Sequence, residues 1–188
     1  MFLNKYTRPL MWGGVGAICA TGLFAMVAVL IGGLSDFTLK ALITSFVLGY
    51  YSLTTSATFG GGGRWELPST LAGLVLGFLG LVMTLPMIWT TDHLFSDTAS
   101  KNALTVAALA FGVAHASINA RVGGETTVSV VVMFLANLFV LIVTGMVIGM
   151  IWYGQYIEDA YIRILIAATI ANVTLTLVNP IVARMSRA

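Results

Sequence analysis

His115 is the residue in this chain best placed to do chemistry, because it is the only side chain well inside a long apolar run whose ordinary titration falls near neutral pH. Gly112 stands about one turn before it and Asn119 one turn after it on the same helical face. An imidazole in that setting could ligate a metal or the magnesium of a chlorin pigment, which makes His115 the candidate cofactor-binding residue. One histidine cannot supply both axial ligands of a bis-histidine haem, and His93 falls in a loop beyond the other end of that run. The structural alternative is that His115 bonds serine or threonine hydroxyls of a neighbouring helix, satisfying polar atoms that are costly in lipid. Asp92, His93 and Asp97 share one loop and could hold a metal weakly, or simply be solvated loop polarity. No metal or cofactor is called for by any stronger pattern. Cys19, the single cysteine, excludes an internal disulfide and reads as a small buried apolar residue.

No catalytic residue can be named. The chain has no phosphate-cradling glycine loop followed by lysine, no spacing of cysteines and histidines suited to zinc, and no nucleophile elbow. The four glycines from Gly60 to Gly63 precede Arg64-Trp65-Glu66 and read as a turn, since no lysine follows. No Asp, Glu, Lys or Arg falls in the middle of an apolar run. Proton- and ion-coupled transporters and voltage sensors carry such groups, so a driven transporter is disfavoured while a passive channel is still allowed.

The remaining polar residues of the runs follow a pattern. Ser45, Gly49, Ser52 and Ser56 recur at steps of four, three and four, which keeps them on one helical stripe. Ala108, Gly112, His115 and Asn119 repeat that stripe 63 residues on, and Thr169, Val173, Thr176 and Pro180 repeat it again, with Asn172 and Asn179 beside them. The spacing predicts a helical hairpin of about sixty residues used three times. The intramembrane polar stripe, Ser45, Ser52, Ser56, His115, Asn119, Asn172, Thr176 and Asn179, either lines a pore or small-solute pocket or acts as hydrogen-bonding glue between helices. On the other runs, Gly73 with Gly77 and Gly145 with Gly149 are spaced four apart and mark surfaces for close helix packing.

The elements that must position these residues follow from composition. Of 188 residues, 59% are hydrophobic and only 9% charged, too few charges to keep a domain in water. The net charge of +2 offers no polycationic surface, so nucleic acid is excluded as a partner and the lipid bilayer is implied. Uncharged stretches run from Trp12 to Leu34, Ala41 to Gly63, Leu67 to Thr91, Asn102 to Ala120, Thr126 to Ile157 and Ile164 to Ala183. The first is long for a secretory leader and reads as a retained span. Backbone groups within lipid must bond to one another, so each stretch is predicted to be helical, even the β-branched Thr126 to Val132. The expectation is an all-α, polytopic bundle in a single domain, 1–188, with six spans at roughly 12–34, 39–59, 67–90, 102–120, 127–153 and 161–183.

Lys5, Arg8, Arg64, Arg121, Arg184 and Arg187 fall on the side of the N-terminus, against Lys40, Lys101 and Arg163 opposite. Short loops rich in Lys and Arg stay in the cytoplasm, so both termini are placed there, in the cell (inner, cytoplasmic) membrane. Trp12, Trp65, Trp89, Trp152, Tyr153 and Tyr156 fall near span ends, where amphipathic rings settle.

The stretches Leu39 to Ser45, Ala108 to Asn119 with its Ala114-His115-Ala116-Ser117 core, and Tyr161 to Leu165 ending in Asn179-Pro180-Ile181 resemble uncharacterised bacterial six-helix integral membrane proteins. The resemblance implies the six-helix architecture and carries no activity with it. Two function classes follow from the residues: a structural or accessory subunit, packed beside other membrane subunits or copies of itself, or a passive channel or small-molecule binding protein using the polar stripe.

Overall fold

The computed structural model describes residues 35–59, 66–90, 97–122 and 126–185, with scattered positions between 12 and 27. The described residues are helical or lie in short turns, with no strand among them. Five long helices follow one another: α1 (Asp36–Thr58), α2 (Glu66–Trp89), α3 (Asp97–Val122), α4 (Thr127–Tyr153) and α5 (Asp159–Met185). They coincide with the second to sixth spans expected from sequence. A short 3₁₀ turn, Gly154–Tyr156, joins α4 to α5. The first expected span lies mostly outside the described residues; its described positions are helical, and Cys19 is exposed there rather than buried. A thiol is apolar enough to face lipid without penalty.

Several helices begin earlier than the apolar stretches do. α1 starts at Asp36 and α3 at Asp97, with Asp36–Lys40 and Asp97–Lys101 ion pairs of 3.0 and 2.5 Å. Both pairs are spaced i, i+4 with the acid nearer the positive end of the helix dipole, which favours an extra helical turn outside the hydrocarbon. Lys101 therefore belongs to the helix and not to the loop before it. Ser35 caps α1 by accepting from the Thr38 amide at 3.1 Å, and Thr126 caps α4 by accepting from the Ser129 amide.

α2, α3, α4 and α5 are each long and apolar enough to cross a membrane. At 23 to 27 residues the five helices measure about 35–40 Å, against a hydrocarbon core of about 30 Å. α1 matches them in length but is less apolar, since its second half carries Tyr50, Tyr51, Ser52, Thr54, Thr55, Ser56 and Thr58.

The bundle is inside out relative to a water-soluble domain. Its most buried side chains include Asn119, Asn179, Thr58, Thr70 and Ser129, whereas Phe78 and Leu141 are 69% and 70% exposed. In lipid this is the favourable arrangement: apolar side chains gain little by leaving the solvent, while polar atoms must find partners inside.

Consecutive helices pack antiparallel, and α3 is the hub that touches all four others. Its eight alanines make that crowding possible, and Ala103, Ala110 and Ala114 are buried against neighbours. Close approach between α1 and α2 is set by glycine. A Cβ at Gly73 would collide with Thr58, one at Gly77 with Thr55 and one at Gly80 with the ring of Tyr51. These three α1 side chains thus sit in a glycine trough on α2, and Thr55 Oγ1 donates to the Gly73 carbonyl at 3.2 Å. Pro86 and Pro180 lie within helices that continue past them to Trp89 and Met185.

The trough yields a prediction. Gly77→Leu should destabilise the isolated chain by about 1–3 kcal/mol through overpacking, read as an earlier midpoint in SDS-titration unfolding.

Candidate functional site

Among the residues of the polar stripe, the structure brings together those of α3 and α5. His115 Nε2 lies 2.9 Å from Thr176 Oγ1, and Asn179 Nδ2 donates to the Asn119 carbonyl at 3.0 Å. The two bonds are one turn apart on each helix and fasten the halves of α3 and α5 nearer their C-termini. His115 also meets Phe111 edge to face, with ring centroids 5.9 Å apart. Asn119 and Asn179 are fully buried, at 1% and 0% exposure.

Other members of the stripe turn back on their own helices or line other surfaces. Ser56 Oγ donates to the Leu53 carbonyl at 2.9 Å, and Ser45 and Ser52 on α1 are half-buried, apart from the His115 cluster. Thr54, Ser117, Thr169 and Thr174 likewise donate to carbonyls three or four residues earlier. A hydroxyl bonded in this way presents little free polarity to a lumen. Asn172 is buried beside α3 and α4, and its Oδ1 is without a partner, as are Asn119 Nδ2, Asn179 Oδ1 and Asn137 Oδ1.

A half-open cavity of about 410 Å³ lies between α3 and α4, flanked by Tyr50 of α1 and Asn172 of α5. It runs along α3 from Leu104 to His115 and along α4 from Val140 to Ile151. His115, Thr144 and Asn172 are its polar lining, set among Leu104, Phe111, Val140 and Val147. Tyr50 spends its hydroxyl on the Ala107 carbonyl, at 2.7 Å, tying α1 to α3.

The glycines named from sequence occupy different settings. Gly73 and Gly77 face α1, and Gly149 faces the Tyr161 hydroxyl, which a Cβ would approach to 2.6 Å. Tyr161 itself donates to the Met146 carbonyl at 2.5 Å. Gly112 on α3 is filled by Thr144 of α4. Gly145 is exposed, with open space where its Cβ would stand.

Sequence reasoning missed two clips at the end of the bundle that holds Asp36 and Asp97. Trp89 Nε1 donates to Thr44 Oγ1 at 2.9 Å, and Thr44 donates to the Lys40 carbonyl at 2.8 Å. Trp152 Nε1 donates to Thr105 Oγ1 at 3.0 Å, and Thr105 donates to the Lys101 carbonyl at 2.7 Å. Each clip fastens a hairpin near that end of the bundle. The signal was the Asp-x3-Lys-x3-Thr spacing, present in both sequences. At the opposite end Arg121 donates to the Ala57 carbonyl, joining α3 to α1.

Among the described residues no group of three or more His, Cys, Asp and Glu side chains could hold a metal ion; Asp92 and His93 lie outside them, and Asp97 is engaged by Lys101. No family model, curated protein or solved structure matches the chain.

The His115–Thr176 contact should behave as interhelical glue. In a double-mutant cycle of His115→Leu and Thr176→Val, SDS-titration unfolding should give a coupling energy of about 0.6 kcal/mol, and no more than about 1.7.

Proposed function

We propose that this protein is a structural or accessory subunit of a membrane assembly, working through the shape it presents within the bilayer. Gly145 carries this reading. Gly73, Gly77, Gly80, Gly112 and Gly149 each abut a side chain of a neighbouring helix in the same chain, whereas Gly145, like Gly13, Gly16 and Gly22 of the first expected span, abuts no described residue and lies on an exposed face of α4 with Leu138, Leu141 and Ile142. An open glycine on a lipid-facing helix lets a second backbone approach closely, which suits association with another membrane subunit or another copy of the chain. The bonding of Thr54, Ser56, Ser117 and Thr174 to their own helices supports the same reading over a pore, because it withdraws those hydroxyls from any lumen.

The subunit sits in the cell membrane with six spans and both termini in the cytoplasm. α1 is one of these spans: its hydroxyls are paired or buried against α2 and α3, which offsets its lower hydropathy. The arginine bias toward the end holding Arg121 and Arg184 favours the orientation. A hairpin of about sixty residues used three times is supported by the Asp-Lys-Thr register, which recurs from Asp36-Lys40-Thr44 to Asp97-Lys101-Thr105, and by Asp159 and Arg163 at the matching start of α5.

Gly145→Leu should abolish co-purification of partners or self-association in mild detergent while leaving the unfolding midpoint of the monomer within about 0.5 kcal/mol of the parent. Retention of the assembly by that variant would refute the role given to this face. For orientation, single cysteines introduced at Asp97 and at Arg121 of a Cys19→Ser background should differ: a membrane-impermeant maleimide applied to intact cells should label only the first.

A further inference from the structure

We infer that the cavity between α3 and α4 binds a neutral lipophile bearing a free hydroxyl, of the long-chain alcohol or acylglycerol class. This goes beyond the packing role and does not depend on it. The volume, about 410 Å³, falls within the range of small-molecule sites. The lining is apolar apart from a few convergent polar groups, the pattern by which such sites hold a ligand in one orientation.

The polar groups select the head. Asn172 is 6% exposed and its Oδ1 has no hydrogen-bond partner, so it needs a donor. A ketone, ether or ester oxygen cannot supply one. An anion is disfavoured as well, because no Lys or Arg lines the cavity to offset its desolvation. His115 engages Thr176 through Nε2, which leaves Nδ1 for a ligand. Thr176 follows Asn172 by four residues, about 6 Å along α5, so one ligand hydroxyl beside His115 and Asn172 can donate to Asn172 Oδ1 and accept from the imidazole protonated at Nδ1, whose Nε2 then accepts from Thr176. The hydrocarbon portion then lies along Leu104, Phe111, Val140 and Val147.

The route in comes from the helix arrangement. The His115–Thr176 and Asn179–Asn119 bonds tie α5 to α3 at and beyond His115, while the cavity extends from His115 toward Leu104 and is open along one side. A lipid-soluble ligand can enter sideways from the bilayer.

The probe is hexadecanol carrying a photoactivatable diazirine, added to the purified full-length chain in detergent, with cross-links mapped by mass spectrometry. Cross-links should fall on Phe111, Val140 or Val147; unlabelled hexadecanol should compete and its methyl ether should compete about threefold or more less well, the fold-change of one hydrogen bond inside a membrane protein. Asn172→Leu should erase that preference. Val147→Phe should cut labelling of the cavity without changing the unfolding midpoint, and supplies the test if Asn172→Leu fails to fold. Equal competition by alcohol and ether, or cross-links spread over outward residues such as Phe78 and Leu141, would overturn the inference.

Discussion

Everything in this molecule depends on the exclusion of unpaired polar groups from lipid. A backbone amide or hydroxyl that meets hydrocarbon without a partner costs several kcal/mol, so each segment closes its own hydrogen bonds by coiling and then turns its side-chain polarity inward. Thr54, Ser117, Thr169 and Thr174 give their hydroxyls to the preceding turn, while Tyr50, Thr55, Thr70 and Tyr161 reach a neighbouring helix. The result is a bundle held by many modest bonds and close contacts, with no apolar core of the kind that organises a water-soluble domain.

That constraint explains how tightly the hairpin of α1 and α2 is drawn together. Hydrophobic collapse gives two helices in lipid little reason to associate, so attraction must come from dispersion across a well-fitted seam. Gly73, Gly77 and Gly80 remove the side chains that would hold α2 away, and Thr58, Thr55 and Tyr51 fill the trough. The same device recurs where Thr144 fills the space beside Gly112 and Tyr161 the space beside Gly149. Trp89 and Trp152 then secure the ends, each with its indole N–H bonded to a threonine of the neighbouring helix.

Much of this architecture was legible in the residues, because apolar length and scarce charge are one-dimensional properties. The positions of α2 and α4 could be read almost to the residue, while α1, α3 and α5 begin up to five residues before the positions read from the sequence, since hydropathy measures membrane thickness and says nothing of a turn stabilised outside it by Asp36–Lys40 or Asp97–Lys101. The polar stripe was visible as spacing, yet spacing does not reveal which partner each group takes. His115 and Asn119 find Thr176 and Asn179 on α5, whereas Ser56 bonds its own helix. Asn137 and Thr144 escaped notice because two polar residues two turns apart in a long apolar helix make too sparse a pattern to stand out, although they share a face. The cavity was invisible for a deeper reason: it forms where side chains of α1, α3, α4 and α5 come together, and such a meeting is a property of several helices at once.

The trough of glycines opposite threonine and tyrosine also sets where this sequence is free to drift. On the outer faces the bilayer asks only for apolarity, so Leu, Ile, Val and Phe can replace one another there at little cost. Along the seam, a gain of even one carbon at Gly73, Gly77 or Gly80 meets a side chain already in place. Descendants of this chain would therefore come to share few letters while keeping small residues and hydroxyls in register across the hairpin, and kinship among them would be read more securely from that paired seam than from overall identity.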